Sequence, residues 1–246
     1  MTAAPDAPLT ARTADDLPVP TGSDVVWTVV GGMGGMLVGA VAGFVPVLLL
    51  LGVAYAALGL VASLLGGALG LWFALVRRRG WGARELGLVR GTRSLWHLLW
   101  EVPLVLTVGL LLTATLGPLL GLSPEDPSAS TSDPDLLATS LTAAPWSLVV
   151  GGLCIVLLLP LVEEVVFRRV LLGWLVSRVP TVAAVLLVSA AFAAVHILPV
   201  AILYLFWMAI GAAVLMLCHR SLWAPLALHA TNNVLASLVA VAALTG

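Results

Sequence analysis

Three constellations of polar side chains interrupt otherwise apolar sequence in the C-terminal half of the chain. They are Glu163, Glu164 and Arg168 in LVEEVVFRR, Phe192 and His196 in FAAVH, and His229 and Asn233 in HATNN. Ionisable groups inside apolar helices are costly, so each needs a reason. Glu164 and Arg168 are four apart on one helical face, acid before base, the favourable order for an ion pair. Glu163 points about 100° away from its neighbour and is left for another job. A carboxylate beside an imidazole in a low-dielectric cavity is a competent general base for water. His229 and Asn233 offer N–H donors that could hold a developing oxyanion. The chemistry this set suggests is hydrolysis, with Glu163 and His196 on the water.

Each group alone has a plainer reading. The paired acids could be a structural knot neutralised by Arg168 and a histidine. A lone His196 is more often a packing residue, and Asn232 or Asn233 alone is an interhelical hydrogen bond. The case rests on the set, because two acids, two histidines and an amide fall between positions 163 and 233. Elsewhere, His97 and His219 sit beside arginines and tryptophans and read as interfacial anchors, as does Arg169 on the cytoplasmic side. Glu101 is expected to pair with a nearby arginine or to line a cavity. Cys154 and Cys218 read as small packing residues, with no disulfide framework.

The elements that must position these groups are membrane helices. Of 246 residues, 61% are hydrophobic and only 9% charged, and the mean hydropathy is +1.13. A soluble domain is nearer half apolar and a quarter charged. Spans of ~20 apolar residues divide the chain into an all-α, polytopic transmembrane bundle of about seven to eight helices. Residues 1–22 are acidic and rich in Pro and Ala, and read as a disordered cytoplasmic tail. They lack the basic start of a signal peptide, so no cleavage is expected. Residues 23–246 form the helical domain. Its first tract, from about Val25 to Val76, suits a tight helix pair with a break near Phe44–Pro46 or at Gly52. Gly31, Gly32, Gly34, Gly35 and Gly39 suit close helix packing.

Further spans begin near Leu98, Trp146, Pro180, Pro199 and Leu222. With seven spans and a cytoplasmic N-terminus, all eleven arginines fall inside and the acidic loop 123–144 outside, as the positive-inside rule asks. The nine tryptophans lie mostly at span ends. Net charge is −1, which argues against a nucleic-acid partner. The absence of lysine, with abundant Ala, Gly, Leu and Val, suggests a high-GC bacterial genome.

Glu163 and His196 are equidistant from the turn expected at Val179–Pro180. An antiparallel hairpin would therefore set them at one depth, facing each other. His229 fits less well. Counted from the starts of their helices, straight rods would leave it about 12 Å from His196 in depth.

The three motifs, EEVVFR, FAAVH and HATNN, resemble the EExxxR, FxxxH and HxxxN motifs of the CPBP family (CAAX protease and bacteriocin processing, or Abi). The likeness covers roughly residues 145–240, which would be the catalytic core. It implies an intramembrane endopeptidase: Glu163 and His196 activating water, His229 and Asn233 as the oxyanion hole, Glu164 and Arg168 supporting by ion pairing, and Phe192 packing beside the histidine. It also implies a site reached from the cytoplasm. Substrates would be a peptide or a membrane-anchored protein, and the setting the inner (plasma) membrane of a bacterium. Glu163, Glu164, His196 and His229 could ligate zinc. There is no HExxH helix, however, and a metal-free route needs only the residues named, so no cofactor is expected. The alternatives are a non-catalytic partner, such as an immunity protein or scaffold, and a small proton-relay transporter. The latter would show an internal repeat, and none is visible.

Overall fold

The computed structural model describes residues 17–52, 56–122, 145–196 and 199–245. Among these, seven helical rods carry nearly all the chain and no strand occurs. We number them α1 (Gly22–Leu51), α2 (Ala56–Leu71, running on through Trp72–Arg77) and α3 (Leu95–Leu119). Then come α4 (from Pro145–Leu153 to Gly173–Leu175), α5 (Thr181–Val195), α6 (Pro199–His219) and α7 (Trp223–Thr245). Five of them, α1 to α4 and α6, are long and apolar enough to cross a membrane. At 15 residues, α5 spans only about 22 Å of a core ~30 Å thick. A helical membrane bundle of seven rods is confirmed among the described residues. The acidic loop 123–144 lies outside the described residues.

The glycines of α1 lock it to α2. A Cβ on Gly31 would sit 2.6 Å from the Gly70 carbonyl oxygen, and Gly35 and Gly39 meet Gly66 and Ala62 in the same way. Small residues let the backbones approach where the hydrophobic effect gives helices no reason to associate. Gly34 is the exception, with nothing near its Cβ position. Pro46 does not break α1. The helix widens to π-helical geometry over Ala40–Phe44 just before it, one of the usual ways a helix absorbs a proline. The chain turns instead at Gly52, whose φ of +80° favours glycine.

The start of α1 is held by a capping box the sequence reading passed over. Thr21 N–H donates to Asp24 Oδ2 at 2.8 Å, and Asp24 N–H returns to Thr21 Oγ at 3.2 Å. Buried Asp24 also pairs with Arg78 and, at 3.2 Å, with Arg79 at the end of α2. Residues 1–16 of the expected tail lie outside the described residues. Its last residues are held in place: Arg169 Nη2 donates to the Pro18 carbonyl at 2.8 Å. Arg169 is therefore no interfacial anchor. It is buried, bonded also to the Glu85 carbonyl, and stacked 4.5 Å over the Trp81 ring.

The arginine-rich connector between α2 and α3 folds back over the bundle. The Glu85 carboxylate accepts its own backbone N–H and, at 2.9 Å, that of Gly82, and these two bonds hold it below the usual carboxylate range. Gly87 then accepts from Leu222 N–H at 2.9 Å, Val89 from the Ser221 hydroxyl at 2.6 Å, and His219 from Thr92 N–H at 3.0 Å. The connector thus clamps the α6–α7 corner from outside. As a result α7 begins inside the bundle, with Leu222, Ala224, Leu226 and Leu228 all buried.

Candidate active site

The site is built on α4 near its end. That helix is α-helical over Leu159–Glu164 and π-helical over Val165–Leu172. Valines 165, 166 and 170 with Phe167 are buried around it, so the rod is enclosed on all sides. π-Helical turns recur at functional sites, and this one starts immediately after the two glutamates.

Glu164 and Arg168 have no side-chain exposure, and Arg168 Nη1 lies 3.2 Å from Glu164 Oε1. The same oxygen accepts the His229 Nδ1–H at 2.8 Å. On the other edge of that ring, His229 Nε2 is 3.5 Å from Glu163 Oε2. One imidazole therefore bridges two adjacent carboxylates. They differ in access: the Glu163 side chain is 16% exposed and that of Glu164 not at all. The 100° offset along the helix becomes a division between an enclosed acid and a reachable one.

Phe192 sits at the middle of the cluster. Its ring centroid is 4.4 Å from the Arg168 guanidinium carbon, 4.5 Å from the His196 ring and 5.7 Å from the His229 ring. The cation lies over the negative face of the ring, which partly offsets its burial. Arg168 Nε and Nη2, and Glu164 Oε2, have no hydrogen-bond partner among the described residues.

His196 closes α5, and its Nδ1 is 2.7 Å from the Phe192 carbonyl oxygen. A carbonyl only accepts, so Nδ1 carries the proton and Nε2 presents a lone pair. The α4–α5 turn falls at 176–180 as expected. Among the described residues, however, Glu163 and His196 form no direct pair. Phe192 stands beside His196, and of the two imidazoles that act electrostatically on the Glu163 carboxylate, His229 is the one within 4 Å.

The depth mismatch expected for His229 does not arise. Because the connector clamps the corner above it, α7 starts well below the bundle surface, and its second turn already reaches Glu164.

Asn233, one turn further on, donates from Nδ2 to the Ile155 carbonyl at 2.8 Å. It thus ties α7 to the π-helical stretch Cys154–Leu158 that precedes Glu163 on α4. Asn232 donates to Asn233 Oδ1 at 3.2 Å and accepts the Tyr204 hydroxyl at 2.6 Å. The sequence reading missed Tyr204. Its signal is a phenol within an apolar helix, where a buried hydroxyl needs a partner. Among the described residues no three His, Cys, Asp or Glu side chains converge as metal ligands.

A second cluster lies at the α3–α6 corner. His219 Nε2 is 2.7 Å from Glu101 Oε2, and Arg93 Nη1 is 3.0 Å from Glu101 Oε1. Glu101 pairs with an arginine as expected. His219 is fully buried rather than interfacial, because its helix ends beneath the connector instead of at the membrane surface.

Residues 145–235 match the family model described as Rce1-like, type II CAAX prenyl endopeptidase Rce1-like. No curated protein and no solved structure matched the chain. The matched segment opens with α4 and closes two residues after Asn233, so it contains all three motifs and every residue of the Glu163–His229 cluster. Over residues 145–235 the chain is thus similar to the Rce1-like CAAX endopeptidases, in agreement with the family its three motifs resemble.

Proposed function

We propose that this chain is an intramembrane endopeptidase. The observation that carries the reading is the bridge of His229 between Glu163 and Glu164, with Glu163 alone of the two acids open to a reactant. Glu163, aided by the Nε2 lone pair of His196, takes a proton from water. The hydroxide so formed attacks the scissile carbonyl carbon, and the C–N bond breaks as Glu163 returns the proton to the leaving amine. His229, as an imidazolium between the two carboxylates, donates Nδ1–H to Glu164 and directs Nε2–H toward the negative oxygen. Asn233 uses one N–H on Ile155 and has a second to donate. Glu164 and Arg168 hold the ring that does this work. No step requires a metal.

The family description points to a prenylated CAAX-type tail, and the substrates that fit more broadly are a peptide or a membrane-anchored protein. The arginine distribution supports an N-terminus and a site opening on the cytoplasmic side.

The test is cleavage in proteoliposomes across a panel of prenylated and unprenylated peptides. Wild type should cut at least one, and Glu163→Ala, His196→Ala and His229→Ala should cut none. A wild type inactive on the whole panel, or full activity in Glu163→Ala, defeats the reading. The first result would favour a non-catalytic membrane partner.

A further inference from the structure

Away from the Glu163–His229 cluster, two cavities meet at Arg93. One, about 590 Å³, is formed by the end of the connector and the start of α3, and Arg90, Thr92, Arg93 and Ser94 give it a polar lining. The other, about 480 Å³, is an apolar groove between α3 and α6, walled by residues such as Leu104, Val108, Ile210 and Val214. Arg93 lines both. It engages Glu101 through Nη1 while its side chain stays 40% exposed, and Arg90 is exposed beside it. Glu101 is shared with His219, so two arginines against one carboxylate leave the mouth positive.

The level of this mouth is set by its aromatics. Trp96 and Trp100 are 78% and 52% exposed, as tryptophans are at a membrane–water interface. From Glu101 to Leu112 the groove follows α3 for about 16 Å, half of a hydrocarbon core ~30 Å thick. A polar, cationic chamber at the interface thus adjoins, at Arg93, an apolar groove one leaflet deep.

We propose that the two cavities form one site for an anionic phospholipid. Its phosphate would lie at Arg90 and Arg93, and one acyl chain would lie between α3 and α6. Basic pockets between membrane helices select anionic headgroups in this way. A zwitterionic choline headgroup would set its cation against Arg90. A second copy of the chain on this face would have to bury the same arginines.

The test is native mass spectrometry of the full chain, exchanged into equimolar phosphatidylglycerol and phosphatidylcholine. Wild type should retain phosphatidylglycerol in preference. Arg90→Gln, on an exposed side chain that carries no fold risk, should lower that retention about fivefold, and Arg93→Gln by a similar factor. Retention of phosphatidylcholine, whose choline cation already opposes the arginines, should fall less in both variants. Val214→Trp, which fills the groove, should remove the bound lipid. Equal retention of both lipids by wild type, or unchanged phosphatidylglycerol retention in Arg90→Gln, overturns the proposal. So does a dimer mass that Val214→Trp abolishes, which would assign the groove to a second copy. None of these readouts depends on cleavage.

Discussion

Two carboxylate–imidazole–arginine clusters lie in this bundle, and they differ instructively. At the α3–α6 corner, His219 meets one acid, Glu101, and that acid also holds Arg93. In the Rce1-like segment, His229 meets two acids, and the fully enclosed Arg168 takes part of the charge of only one. The first arrangement leaves no acid over: His219 and Arg93 share the single carboxylate of Glu101. The second leaves a carboxylate, Glu163, that its neighbours orient and do not consume. The same three residue types give a structural lock in one place and a candidate catalytic centre in the other. The difference is one extra acid whose side chain is partly exposed.

The sharpest way to break that contrast is Glu163→Gln. Cleavage should fall by about 10²–10⁴ while thermal stability in detergent hardly moves, because the partly exposed side chain is not what holds the helices. A large stability loss with activity retained per folded molecule would make Glu163 structural, like Glu101.

Arg168→Met should act the other way round. Removing one partner of an enclosed pair costs about 3–5 kcal/mol, whereas replacing both by apolar residues of similar size is often near neutral. Unfolding of Arg168→Met should therefore be markedly easier, and Glu164→Leu with Arg168→Met should recover much of the loss. A double variant as unstable as the two single losses summed would show that the ion pair is not the controlling interaction.

The two histidines give a matched comparison. His229→Gln and His219→Gln each remove a buried hydrogen bond and should each cost about 1–3 kcal/mol. Cleavage per folded molecule should drop about 10²-fold only for His229→Gln. Equal activity losses would erase the distinction between the clusters.

The smallest effect is expected at Tyr204→Phe, which removes the hydroxyl that positions Asn232 beside Asn233. It should cost about 1 kcal/mol of stability and less than tenfold in cleavage, seen in kcat rather than KM. An unchanged kcat would show that Asn233 keeps its orientation through Ile155 alone.

Much of this was legible in the linear sequence. The apolar tracts and their prolines marked the helices, because the bilayer leaves the backbone few other choices. The glycine spacing of α1 foretold its contact with α2, although Gly34 does not share it. The Glu164–Arg168 pair followed from helical periodicity alone. What could not be read were the long-range partners. Arg169 and His219 look interfacial in sequence because they sit beside other arginines or tryptophans. Both are buried, because the connector folds over them, and nothing in its composition announces that fold. Thr21 and Asp24 did carry a local signal, the spacing of a capping box, and it was overlooked.

The sequence by itself determined the helices, the membrane setting, the three motifs and the ion pair within one turn, since these depend on periodicity and local chemistry. Only the tertiary structure decided which imidazole each glutamate meets. Hairpin symmetry set Glu163 opposite His196. In the folded bundle Phe192 stands beside His196, and the connector sets the start of α7 deep enough for His229 to bridge both acids. Depth and rotation of one rod against another come from packing across elements, and that information is spread over residues far apart in the chain.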